Sequence, residues 1–282
     1  MDPLRFDLCR LSRRLASADV RLLLVGGYGI LLKAEYVRGN QLDTVAPTLF
    51  PRATDDLDVL LTGQIVADVD SMEALRASLR ELGYEPVTGG VYYQWFRGLE
   101  AEEGPGTRVR IDLLGQIPED RSAVRLTERR MRPHDFQGLH AHPVVEAAFV
   151  HEKVTLHDVC PDPPAARVAI PHPFSFLLLK LFAFDDRRND PDVDRGRHHA
   201  FDLYRVVSMV TAEEWREVSE LRSRHGDHAV VRRARRVVRM YFSDPEALGS
   251  LRLREHARRS AVDLSTYSVD EFLGDLQELM LE

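Results

Sequence analysis

The stretch ArgAlaThrAspAspLeuAspVal, residues 52–59, decides how the chain is read. Along a strand, residues two apart share a face, so Asp56 and Asp58 project together while Leu57 and Val59 face the core. Two carboxylates held side by side repel each other unless a cation sits between them. Mg²⁺ is the natural candidate, a hard ion that takes one or two carboxylates and leaves its other positions to water and phosphate; Mn²⁺ is the alternative. An Asp-x-Asp pair alone is more often solvated at a strand end. The context adds a third acid, Asp112, centred in ValArgIleAspLeuLeu (109–114), where an aspartate without a partner would be costly. Three acids on neighbouring strands are a donor set for metal-assisted phosphoryl or nucleotidyl displacement.

Upstream, the apolar run Arg21–Val25 stops at Gly26 and Gly27, after which Ile30, Leu31, Leu32 and Ala34 follow helical spacing. A strand, tight turn and helix in that order bring backbone N–H groups and a positive helix end close to phosphate oxygens. No Gly-Lys-Ser/Thr follows and the pattern is not GxGxxG, so P-loop and Rossmann readings lose ground. By themselves the two glycines are more simply a turn that needs positive φ.

Working outward, Leu4, Leu8, Leu11 and Leu15 mark an amphipathic helix over 4–18, and residues 39–53 read as a loop ahead of a strand at 57–61. Residues 71–82 read as a helix capped by Ser71 and stopped by Gly83. Strands follow from Val91 and from Arg108, joined by a Glu- and Gly-rich loop at 98–107. The Pro-rich stretches 161–166 and 171–173 read as punctuation, and beyond them helices are expected over 174–184, 198–210, 212–225, 228–242, 245–260 and 269–281. The fold class expected is α+β: a mixed-sheet domain over 1–165, then an all-helical domain over 166–282.

Composition agrees with a folded chain: 282 residues, 44% hydrophobic and 29% charged. The longest apolar runs, such as Leu22–Val25 and Phe174–Leu179, fall far short of the roughly 20 residues a membrane span needs. The N-terminus lacks the apolar core of a secretory signal, so a cytoplasmic protein is expected, with Cys9 and Cys160 reduced. Net charge is −7, yet arginine is dense over 187–239. Those arginines either hold a polyanion or form a solvated helix face paired with the glutamates before them. His140-x-His142 and His198-His199 lack a third ligand at zinc spacing and read as surface residues. Tyr92, Tyr93, Trp95 and Phe96 suit a strand core better than base stacking, and the acids at 185–186 and 190–194 read as a solvated loop.

In combination, Gly26-Gly27, Arg52-x-Thr54-Asp55-Asp56-Leu57-Asp58 and Asp112 resemble the DNA polymerase β-like nucleotidyltransferase superfamily. More narrowly, the chain resembles the AbiEii/MenT group of type IV toxin-antitoxin nucleotidyltransferases. Lys180 in PheLeuLeuLeuLysLeuPheAla, the AspArgArg loop at 186–188 and Asp202 in HisHisAlaPheAspLeuTyr extend the likeness over most of 20–210. Two departures stand out: a longer stretch before Arg52, and His198-His199 in place of the family's Lys-Asp pair.

The resemblance implies an N-terminal nucleotidyltransferase fold that moves NMP from an NTP to an acceptor hydroxyl with release of pyrophosphate. Asp56 and Asp58 would bind Mg²⁺, and Asp112 would be a third ligand or proton acceptor. Thr54, Arg52, Gly26 and Gly27 would contact phosphate, Lys180 would supply a point charge, and Asp202 would orient Lys180 or touch the nucleotide. The acceptor implied is the 3′ end of tRNA, and the role implied is a toxin neutralised by an antitoxin protein, without a membrane. An aminoglycoside-like molecule or a protein side chain is the alternative acceptor, and the acidic net charge favours the cationic antibiotic. A silent binding module would have lost an acid, and all three are present.

Overall fold

The computed structural model describes residues 2–47, 54, 56–87, 92–98, 108–163, 165–190 and 192–282. Helix α1 (Pro3–Leu15) starts where the Asp2 carboxylate accepts from Leu4 N, and it buries Leu4, Leu8, Leu11 and Leu15 on one face. Next come β1 (Leu23–Leu24), α2 (Gly26–Gly39), β2 (Asp56–Leu61), α3 (Gly63–Ala67) and α4 (Val69–Glu81). The glycines therefore form the first turn of α2 rather than a turn ahead of it. The Asp68 carboxylate, accepting from Ser71 N at 2.8 Å, caps α4. This corrects the expectation that Ser71 is the cap, because the helix starts two residues earlier and Ser71 itself supplies the orphan N–H that the carboxylate satisfies.

Strands β3 (Glu85–Pro86), β4 (Gln94–Gly98), β5 (Arg108–Gln116), β6 (Val124–Leu126), β7 (Met131–Pro133), β8 (His142–Val144), β9 (Val154–Asp158) and β10 (Arg167–Pro171) complete the β-structure. The large sheet has eight strands in the order β3-β4-β5-β2-β1-β10-β9, with β8 also pairing β5; β6 and β7 form a separate ribbon. It is mixed: β1–β10, β2–β5 and β5–β8 are parallel and the other pairs antiparallel. Leu57, Val59, Trp95, Ile111 and Leu113 are buried along its centre. Polar groups are buried there too, among them Asp7 of α1, which accepts from Arg97 at 2.6 and 2.7 Å and from the Tyr84 hydroxyl at 2.5 Å. A buried carboxylate needs such partners.

After β10, the chain is helical: α5 (Pro173–Arg187), α6 (Val193–Ser208), α7 (Ala212–Arg224), α8 (Ala229–Tyr241), α9 (Leu248–Arg259) and α10 (Val269–Leu281). His172 and Pro173, expected as linker punctuation, are the N-cap and first residue of α5, and Asp192 caps α6 within the segment expected to be a loop. Thr211 with Glu214 and Ser268 with Glu271 make capping boxes that start α7 and α10. The fold class is thus α+β with a mixed sheet followed by helices. Two compact units are present: Met1–Leu32 with Arg52–Pro171, and Lys33–Pro51 with His172–Glu282.

Cys9 and Cys160 are joined in a disulfide, their Cα atoms 5.1 Å apart, which corrects the expectation of two free thiols. Their separation of 151 residues hides the approach of α1 to the end of β9, where Arg5 also donates to the Asp158 and Val159 carbonyls. Among the described residues, no helix is long and apolar enough to cross a membrane.

Candidate functional site

The parallel pairing of β2 with β5 sets Asp58 opposite Asp112 and Asp56 opposite Arg110. Residues paired in this way point to one face of the sheet, so all four side chains share it. The burial pattern agrees, with Leu57, Val59, Ile111 and Leu113 buried on the other side and the acids half-buried. Arg110 Nη2 lies 2.6 Å from Asp56 Oδ2, and its Nε lies 3.3 Å from Asp112 Oδ1. Thr54 donates its hydroxyl to Asp56 Oδ1 at 2.6 Å, and Gln94 on β4 donates to Asp112 Oδ1 at 3.3 Å.

Gly26 completes this face. Its φ of +64° lies in the left-handed region, and a Cβ built on it would overlap the Asp58 carboxylate. Val25 N donates to the Asp58 carbonyl at 3.0 Å, which pins the start of α2 to β2. The first-turn N–H groups of a helix have no partner within the helix and favour anions.

Burial raises the pKa of Asp112 and the Asp56 charge adds to this, while Arg110, Gln94 and His142 work against it. Burial acts to lower the pKa of Arg110, but Asp112, Asp56 and Asp58 outweigh it and hold the guanidinium firmly charged. Arg110 is thus the cation among the three acids. Sequence reasoning passed it over, although its place two residues before Asp112 puts it on the same face by strand alternation. Gln94 could be found only from the pairing of β4 with β5.

Hard carboxylate oxygens on adjacent strands are the donors Mg²⁺ takes, and Asp56, Asp58 and Asp112 fit it by chemistry. As arranged, Asp56 is engaged by Thr54 and Arg110, and among the described residues no group of three or more His, Cys, Asp or Glu is set to hold a metal.

In the helical unit, Lys180 on α5 and Asp202 on α6 form a buried ion pair at 2.7 Å. Arg205 Nη1, one turn along α6, lies 3.8 Å from the other Asp202 oxygen and sits over the Phe201 ring at 5.9 Å. Asp202, with no exposed surface, therefore faces two cations.

Of the remaining candidates, Arg52 lies outside the described residues and Thr54 meets Asp56. Trp95 is core, its indole N–H donating to the Tyr92 carbonyl at 3.0 Å. The Tyr92 ring meets His140 edge-on and Tyr93 lies 5.3 Å from His142. His198 meets His256 edge-on.

No protein-family model matches the chain, and no curated protein does. Among solved structures, the chain is similar to the antibiotic-resistance factor ANT(2'')-Ia, known from a solution structure. The two share 14% sequence identity with a TM-score of 0.35, over 81% of this chain and 100% of that one.

Proposed function

We propose that the protein is a Mg²⁺-dependent nucleotidyltransferase that moves NMP from an NTP to an acceptor hydroxyl at the 3′ end of an RNA such as tRNA. The observation that carries this reading is the register that sets Asp58 beside Asp112, with Gly26 against Asp58. Asp56 and Asp58, with Asp112, would hold the metal, which when bound neutralises charge on the triphosphate. Asp112, whose pKa burial raises, accepts the proton of the attacking hydroxyl. The hydroxyl oxygen bonds to the α-phosphorus, and the bond from that phosphorus to the pyrophosphate oxygen breaks. Gly26 and Gly27 offer backbone N–H groups to phosphate, and Thr54 and Arg52 add side-chain contacts. By the family resemblance, Lys180, paired with Asp202, would supply a point charge to the triphosphate. A growth-arresting role opposed by an antitoxin goes with an RNA acceptor.

A cationic small molecule is the second acceptor. A net charge of −7 favours it.

One assay separates these. Purified protein is incubated with Mg²⁺, each labelled NTP and total tRNA, beside an Asp56→Ala/Asp58→Ala control. Label moving into tRNA with the wild type alone supports the first reading. Mg²⁺-dependent NTP binding without tRNA labelling moves the acceptor to a small molecule or protein. Absence of NTP binding overturns the enzymatic reading.

A further inference from the structure

The arginines of α8 divide into two sets. Val230, Val231, Ala234, Val237 and Val238 are buried, whereas Arg232, Arg236 and Arg239 are exposed. At roughly 100° per residue the three exposed arginines fall within about 60° of arc, opposite the buried stripe. Arg233 and Arg235 flank them and are already committed. Arg233 binds Asp185 at 2.8 Å and Asp186 at 2.7 Å and covers the Phe182 ring at 4.2 Å; Arg235 donates to the Met280 carbonyl at 3.1 Å.

A solvated face would be expected to pair these arginines with the acids of the preceding helix. It does not. Glu214 pairs with Lys33, and Glu217 meets His172 at 3.0 Å. Among the described residues, Arg232, Arg236 and Arg239 make no ion pair; Arg232 donates only to the Asp227 carbonyl. Three cations thus stand in a row on a rigid helix of a chain whose net charge is −7. A surface charged against the overall sign of its protein is suited to a local anionic partner.

We infer that Arg232, Arg236 and Arg239 form a docking rail for the phosphodiester backbone of an RNA. From Arg232 to Arg239 the helix rises by about 10.5 Å. A strand of double-stranded DNA presents a phosphate about every 3.4 Å of axis, and on that scale the rail spans roughly three phosphates of a polynucleotide. Such contacts position the polynucleotide without reading its sequence. The inference rests on the RNA-acceptor reading above and adds where the body of that RNA is held.

The test is tRNA binding by the full chain, without NTP, across a salt series. The variant is Arg232→Gln/Arg236→Gln/Arg239→Gln, and the control Arg21→Gln/Arg80→Gln/Arg121→Gln makes the same charge change in the sheet unit. The rail variant should bind at least tenfold more weakly at low salt, with its slope of log affinity against log salt shallower by about 2 to 3. The control should keep the wild-type slope. NTP binding by the rail variant, measured separately, should be unchanged. Equal loss in variant and control overturns the rail, as does equally salt-sensitive binding of polyglutamate in its place. An Asp58→Asn variant separates the two ideas. If the wild type labels tRNA, Asp58→Asn does not, and the rail variant binds tRNA like wild type, the rail fails and the transferase reading stands. If NTP neither binds nor transfers but the rail variant loses RNA, the transferase reading fails alone.

Discussion

Gly26 lies so close to Asp58 that the carboxylate occupies the space a β-carbon would fill. The turn that opens α2 and the strand that carries the acids are therefore built as one piece, with the Val25 amide bonded to the Asp58 carbonyl as the second fastening.

Gly26→Ala should consequently act on both fold and site. The left-handed backbone costs a residue with a β-carbon about 1–2 kcal/mol, and the overlap displaces Asp58 in addition. Thermal unfolding should show a lower Tm, and Mg²⁺-dependent NTP binding should fall at least tenfold. Retention of both at wild-type level would show that the carboxylate does not need this position.

Arg110 stands in for a cation among Asp56, Asp58 and Asp112. Arg110→Gln removes it and leaves the acids repelling one another. The variant should have a lower Tm than wild type in chelator, and Mg²⁺ should raise its Tm by more than it raises that of wild type. An identical Mg²⁺ response in the two proteins would mean that the acids do not share an ion.

Asp202 serves both Lys180 and Arg205, whereas among the described residues Lys180 pairs with Asp202 alone. Asp202→Ala brings two buried cations face to face and should cost about 3–5 kcal/mol in urea unfolding. Lys180→Met should cost less, because Arg205 still faces the carboxylate. The reverse order would show that Arg205 does not share the charge.

Acid sensitivity should trace in part to His140. Its burial, with Arg132 and Arg130 adding to the effect, lowers its pKa from 6.5 to about 4, so the folded protein holds the ring neutral. A group whose folded pKa is depressed contributes stability above its unfolded pKa and loses it as the pH falls. The loss should run from about 6.5 down to about 4. His140→Gln should therefore lose less stability than wild type between pH 7 and pH 4.5, measured by chemical unfolding at each pH.

Most helices after β10 are legible from a buried stripe at helical period, with Thr211–Glu214 and Ser268–Glu271 as start marks; α5, buried all round over Pro173–Phe182, is legible from its apolar composition instead. The acids on β2 and β5 were legible because alternation fixes which face a residue takes. Strands β6 to β10 were not. They are three to five residues long, and Pro133, Pro143 and Pro171 within them read locally as loop. Their state comes from the neighbours they pair with, which is tertiary information. The bond between Cys9 and Cys160 is hidden for the same reason, since no local pattern says that residues 151 positions apart will meet.

Strand order also sets a timetable for synthesis. Leu23 of β1 pairs with Ala169 of β10, so an interior seam of the sheet joins one of the first segments made to one of the last in its unit. A nascent chain that has emerged only as far as residue 165 carries β1 with one edge unpaired, next to a β2 already able to bind it. Pairing across that distance is entropically expensive and slow. A fragment meant to stand alone as the sheet unit must therefore run through Pro171, and one cut at 165 should expose β1 and self-associate.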